Sequence, residues 1–533
     1  MNKIFLSQIK NIKKDSIRCK KIFSSSSKNK KKERYISTDN LLFDFSRNVI
    51  DDKTLKNLTN LASIIDIKAQ FKKMCSGDYF NNSEQRRVLH PAMRNTFFSL
   101  DKEIIKSIKF HKTQLKNISN GVNKGEIKSF SQKKFTDVVS IGTGGSYFGI
   151  NMVYEALKNY SKANINLHFI SNLDSTESVD ILKNLDPQKT LFIVVSKSFR
   201  TSETIENVKH IKKWLSDRTI NKNIMSNFVA VTENVDAAKS LGIKEKNIIA
   251  LWDWIGGRFS IWTGVSIGLI ITIGYDNFLK FLKGAYKGDS HFYNCKYEKN
   301  IPVIMGLLSF YYTKFFNAQS HLILPYNHRL RFFHDHIQQL EMESNGKSID
   351  KNGKKFTNIS GNIVWGATGN CAQHSFFQLL HQGNTIIPAD FIISCKSDSK
   401  NQDNHDKLFS NFLSHIDILF DGFNAVEARN LYNKNFSKSG LAEELVIKNL
   451  ELKGKKPNNV FLLNKLNPES LGELISYYEH KTFVLGLLTN VNSFDQWAVE
   501  IGKVKANDIY KDIRNTKKNK KKVKNLLIRR YLD

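Results

Sequence analysis

Two kinds of hydrophobic pattern take turns along the chain, and their alternation predicts its architecture. Short apolar, β-branched runs recur at Asp137-Val138-Val139-Ser140-Ile141, Thr190-Leu191-Phe192-Ile193-Val194-Val195 and Asn227-Phe228-Val229-Ala230-Val231. Runs of this length predict strands buried on both faces. Each leads through a polar loop into helical spacing: as far as Leu157, then Ile205, Val208, Ile211, Trp214 and Leu215, then about 236–241. Strand, loop and helix in that repeated order predict an α/β fold, a doubly wound parallel sheet flanked by helices. Helical patterns precede it over about 51–116. A second α/β region follows over about 302–503, with 385–388 and 391–393 as strand candidates and 410–419 as a helix candidate. The expected division is a basic leader (1–38), a first domain with its preceding helices (39–290), a second domain (291–510) and a basic tail (511–533). The longest apolar stretch, 261–273, is too short and too rich in Thr, Ser and Gly to span a bilayer. It predicts a buried helix and no membrane partner.

The second of these units carries the most informative turn. Ser196-Lys197-Ser198-Phe199-Arg200-Thr201-Ser202-Glu203-Thr204 puts five hydroxyls and two cations into nine residues, between a buried strand and a helix start. Unpaired backbone N–H groups, a positive dipole end and side-chain donors together suit a phosphate monoester. A plain Ser/Thr N-cap would use one or two hydroxyls. The first unit ends in Gly142-Thr143-Gly144-Gly145-Ser146. Tyr147 stands where a dinucleotide fingerprint needs its third glycine, and no Gly-Lys-Ser/Thr follows. The loop still lets backbone approach a ligand closely at a helix start. Two such loops at neighbouring strand ends predict one shared crevice.

Charge and cysteine usage narrow the remaining classes. The net charge of +31 is concentrated at the ends: 3–34 holds only Asp15 and Glu33 as acids, and 514–530 holds nine cations and none. No aromatic residue interleaves with the 517–524 cluster, so a stacking platform for bases is missing and no specific nucleic-acid partner is expected. Cys19, Cys75, Cys295, Cys371 and Cys395 are scattered, odd in number and never C-x-x-C. That pattern predicts a reducing cytoplasm rather than a disulfide framework or a zinc site. His334-Asp335-His336 places two histidines two apart, which a helix points away from each other, so no metal is expected there.

Four further segments carry ionisable groups in unusual settings. Arg258 follows Gly256-Gly257; Glu343 lies in Gln338-Gln339-Leu340-Glu341-Met342-Glu343; His374 precedes an apolar helix; Gln496 and Lys503 lie in 493–503. Singly, each has an ordinary reading, as an ion-paired arginine, a surface acid, a core histidine or a helix-end lysine. Together with Val88-Leu89-His90, Met93-Arg94-Asn95, 141–149, 196–204, 252–262, 338–347, 373–383 and Tyr478-Glu479-His480-Lys481, they carry a resemblance. The chain resembles the glucose-6-phosphate isomerase family over about 43–503.

The resemblance implies two sugar-isomerase domains, a homodimer, and interconversion of glucose 6-phosphate and fructose 6-phosphate through a cis-enediolate, without metal or cofactor. It implies that Gly145, Ser146, Ser196, Lys197, Ser198 and Thr201 hold the phosphate end and that Gly257, Gln339 and Gln496 contact the sugar. Glu343 is implied as the base moving a proton between C2 and C1, Arg258 as the enediolate's cation, and His374 and Lys503 as the groups of ring opening. These types suit the steps: a carboxylate as base, a permanent guanidinium for an oxyanion, a histidine near neutrality. A non-catalytic sugar-phosphate sensor is the alternative; the retained Glu343, His374 and Lys503 argue against it. Departures from the family pattern fall at Tyr147-Phe148, Arg200, Ser202 and 367–372. Tyr147 and Phe148 are expected to narrow the pocket, and Arg200 to strengthen phosphate contact.

Overall fold

The computed structural model describes residues 3–25, 32–95, 98–161, 164–199, 201–221, 223–356, 361–437, 440, 442–519 and 525–532. Arg200, residues 26–31 of the basic leader and most of the 517–524 cluster lie outside the described residues. The chain forms two compact units, Met1–Ser493 and Phe494–Asp533.

The first unit contains two sheets. Strands β1 (Tyr35–Ser37) and β2 (Leu41–Asp44) come first in the chain but belong to the second sheet. Next come β3 (Asp137–Ile141), β4 (Asn166–Ile170), β5 (Thr190–Val195), β6 (Phe228–Thr232) and β7 (Ile248–Ala250). They pair in the order β4-β3-β5-β6-β7, all parallel, with Val139 opposite Phe192 and Ile193 opposite Val229. Every residue of β5 is buried, as its unbroken apolar run requires. Phe192 and Phe228 stack on one face, ring centroids 5.2 Å apart. On the other, helix Ile267–Ile273 closes in at Gly268, where a Cβ would lie 3.0 Å from Leu167 and 3.3 Å from Ile193. The buried helix expected over 261–273 is interrupted: two 3₁₀ turns, Gly257–Trp262 and Gly264–Ser266, precede it. Thr263 between them is extended, and its side chain caps Val265 N–H.

The second sheet adds β8 (Ser320–Pro325), β9 (Ile363–Gly366), β10 (Ala389–Lys396) and β11 (Asn458–Lys465), in the order β1-β2-β11-β10-β8-β9. Strands β8 to β11 are parallel; β2 runs antiparallel to β11, with Phe43 opposite Phe461. Residues 35–44, read from the sequence as part of the leader and first domain, thus complete the second sheet, a long-range pairing that no local pattern announces. The strand candidate 385–388 is not a strand. Its Thr385 carbonyl accepts from Lys456 Nζ at 2.9 Å, and Pro388 has no N–H for a ladder.

The basic leader is ordered structure over Lys3–Ser25, a helix burying Phe5, Ile12 and Cys19 at seven-residue intervals. Lysines between these positions dilute the apolar stripe. Its Arg18 forks onto Asp51, the N-cap of helix Asp52–Ile65, at 3.0 and 2.9 Å.

Helices Tyr275–Asn294 and Pro468–Thr489 bind the unit together. They touch at backbone distance: a Cβ on Gly472 would fall 2.1 Å from Phe281 O, and one on Gly284 1.8 Å from Glu469 O. Between them Arg94 is buried against Asp289 and Glu479. Trp262 Nε1 donates to Glu479 at 2.8 Å, and His480 pairs with Asp289 at 2.7 Å. Among the described residues, no helix is long and apolar enough to cross a membrane.

Candidate active site

Four segments converge at the carboxyl ends of the strands. The glycine loop after β3 ends in a 3₁₀ turn, Gly144–Ser146, which feeds helix Phe148–Ala156. Gly144 takes φ +60, open to glycine without strain. A Cβ on Gly145 would lie 2.2 Å from both C and O of Gly257, so the glycine loop and the arginine turn meet backbone to backbone. Ser260 Oγ donates to Gly257 O at 2.6 Å within the arginine turn and lies 3.5 Å from Gly145 O across the junction. At Gly257 a Cβ would meet nothing within 4 Å, which leaves room beside the turn.

Arg258 is 2% exposed and its guanidinium is held on three sides. Nε donates to Ser344 Oγ and Nη2 to Ser493 O, both at 2.6 Å, and Nη1 lies 3.5 Å from Glu343 Oε2. Glu343 projects from helix Phe333–Asn345, one turn after Gln339, whose Nε2 donates to the same Oε2 at 3.2 Å. Gln339 Oε1 is buried with no donor among the described residues, as suits an acceptor for a sugar hydroxyl. Ser493 in turn donates to Asn345 Oδ1 at 2.7 Å. Ser344, Asn345 and Ser493 form a supporting layer that the sequence reading missed. Their only sequence signal was a place inside the 338–347 and 493–503 blocks, with no role given to them.

The hydroxyl-rich turn follows β5 directly. Phe199 adopts φ +53 and is 5% exposed, packed into the sheet's hydrophobic core, so the loop reverses over a buried ring. Ser196 Oγ donates to Thr201 Oγ1 at 3.2 Å. Thr201 is the N-cap of helix Ser202–Ser216, yet its side chain caps no N–H. The helix start therefore keeps N–H donors and a positive dipole end for an anion. Lys197 points from this loop to the segment before the arginine turn, donating to Asp253 O at 2.9 Å and Ile255 O at 3.0 Å.

Not every predicted residue joins this cluster. His374 is exposed at the end of helix Gly369–Gln373, beyond the carboxyl end of β9, with no side-chain bond to the groups above. Gln496 and Lys503 belong to the second unit; Lys503, on helix Trp497–Asn519, pairs with Glu500 at 2.6 Å. Tyr147 packs edge-on against Phe169 of β4, centroids 5.7 Å apart, and takes a 3.4 Å bond from Asn151. Burial raises its pKa, as do Glu177 and Asp335. Phe148 is 36% exposed. Among the described residues, no three His, Cys, Asp or Glu side chains are placed to hold a metal ion.

Parallel sheets flanked by helices, with a carboxylate, a guanidinium and a hydroxyl-rich loop at their strand ends, define an α/β sugar-phosphate isomerase. The chain belongs to the phosphoglucose isomerase family, whose model matches residues 44–525. It is 42% identical to a glucose-6-phosphate isomerase of Buchnera aphidicola (subspecies Schizaphis graminum), over 95% of this chain and 92% of that protein. It is 41% identical to one of Campylobacter jejuni subsp. doylei, over 91% and 89%. The crystal structure of a glucose-6-phosphate isomerase from Chlamydia trachomatis superposes with a TM-score of 0.80 at 28% identity, covering 95% of this chain and 96% of that one.

Proposed function

We propose that the chain interconverts glucose 6-phosphate and fructose 6-phosphate with the groups gathered around Arg258. The observation that carries this reading is Glu343 Oε2, facing both the Arg258 guanidinium and the Gln339 amide beneath a glycine loop. The loop's N–H and hydroxyl groups and the start of helix Ser202–Ser216 take the phosphate. Ring opening moves a proton from the anomeric hydroxyl to the ring oxygen, a part that the family resemblance, and not the cluster around Arg258, gives to His374 and Lys503. Glu343 then removes the proton from C2 of the open aldose, and the electron pair runs onto the C1 carbonyl oxygen. Arg258 stabilises the resulting cis-enediolate. A proton passes from O2 to O1 of the enediolate, and Glu343 returns its own proton to C1 as the ketose carbonyl forms at C2. Gln339 orients the hydroxyls, a part that the family resemblance also gives to Gln496.

A homodimer and a cytoplasmic setting complete the proposal. Five free cysteines suit a reducing compartment, and sedimentation of the purified chain tests the dimer. The decisive experiment follows fructose 6-phosphate in heavy water with EDTA present. Deuterium should enter C2 of the glucose 6-phosphate formed, and Glu343→Gln should lose both turnover and exchange. Retention of more than about 5% of the wild-type rate in Glu343→Gln would refute Glu343 as the base.

A further inference from the structure

The residue that joins the phosphate loop to the arginine turn is Lys197. An ammonium offers three protons. Here two are committed, to Asp253 O at 2.9 Å and to Ile255 O at 3.0 Å. The charge is met by Glu233, whose Oε2 lies 3.7 Å away. Burial disfavours the charged form of Lys197, and Glu233 opposes that loss. Its backbone is anchored as firmly: the Lys197 carbonyl accepts from Glu233 N–H at 2.9 Å and Thr232 Oγ1 at 3.1 Å. The Lys197 N–H makes no hydrogen bond to a described residue. So two of the ammonium's protons are spent on the protein, while the N–H groups at the start of helix Ser202–Ser216 remain for an anion.

The carbonyls that hold the ammonium belong to the segment leading into Gly257–Trp262, the turn that carries Arg258. We propose that Lys197 is a positioning residue, its ammonium coupling occupancy of the phosphate loop to the alignment of the Arg258 turn rather than binding the phosphate itself. An enzyme of this kind uses the binding energy of a non-reacting phosphate to order groups at the reacting carbons. Lys197 is the direct side-chain link through which that energy reaches the guanidinium. The proposal rests on reading 196–204 as the phosphate loop, and its test is chosen to stand apart from turnover.

Inorganic phosphate serves as the probe. In the wild type, saturating phosphate should slow hydrogen exchange in peptides covering 253–262 by about threefold or more. In Lys197→Met, phosphate should still bind within about threefold of the wild-type Kd, but the slowing should vanish and kcat fall by about tenfold or more at little-changed KM. Lys197→Gln, whose neutral amide still reaches a carbonyl, should recover part of both; it also serves if the Met variant does not fold. A loss of phosphate affinity of about tenfold in the neutral variants, with exchange in 253–262 still responsive, would overturn the coupling and make the ammonium a phosphate ligand. No wild-type turnover, with phosphate bound and the turn protected, would sink the isomerase reading and leave the coupling standing. No phosphate binding by the wild type would sink both.

Discussion

At the scale of single residues, Arg258 shows why its identity matters beyond charge. Its three nitrogens serve Ser344, Ser493 and Glu343 at once, an arrangement one ammonium cannot reproduce. Arg258→Lys should therefore lower kcat by about 10²- to 10³-fold with KM within about threefold, measured with fructose 6-phosphate. Buried histidines set a different property. His111, His291, His336 and His415 are each pushed down to about 4 by burial, below the ordinary 6.5. Their rings stay neutral in the folded chain, so their contribution is complete above about pH 6.5 and is lost as pH falls towards 4, where only the unfolded chain has taken protons. Each proton is worth about 1.4 kcal/mol per pH unit, so urea midpoints should fall steeply across that window. Neither ring nitrogen of His336 has a partner among the described residues. His336→Phe should then flatten the slope by about one proton, and an unchanged slope would show that His336 does not contribute. The hydroxyl-rich turn was legible from its residue types, whereas Glu343 and Arg258, ordinary when read singly, stood out only through the family resemblance. Ser344 and Ser493 were not legible, because a serine gains its meaning only from what the fold brings beside it.

At the scale of elements, the site depends on two loops meeting without side chains between them. Gly145→Ala would put a methyl group 2.2 Å from the Gly257 carbonyl group, and backbone cannot swing aside as a side chain can. The variant should lose about 1–3 kcal/mol of stability in urea titration and about 100-fold in kcat/KM as the turn carrying Arg258 is displaced. The alternating patterns located β3, β5 and β6 to within a residue or two, since a strand buried on both faces is written in consecutive positions. Helix Lys3–Ser25 was hidden because its buried positions are few and its exposed face is crowded with lysine. The stretch 261–273 was read as one helix because every one of its residues is buried, leaving no polar side to betray the break at Thr263.

At the scale of the whole molecule, the two-sheet plan was legible and the way it closes was not. Of the second sheet's strands the pattern marked only β10, through 391–393. The pairing of β2 with β11 links positions near opposite ends of the first unit, and only the assembled fold selects it. That pairing dictates when the protein can finish folding. A ribosome adds about 5–20 residues each second, so β2 waits on the order of half a minute for its partner to be made. Throughout that interval Leu41 and Phe43, both buried in the end, have no β11 to lie against. A nascent chain stalled before residue 458 lacks the strand that closes its oldest hairpin, so synthesis of this enzyme is close to all-or-nothing, and the unfinished chain presents the apolar edge that chaperones recognise.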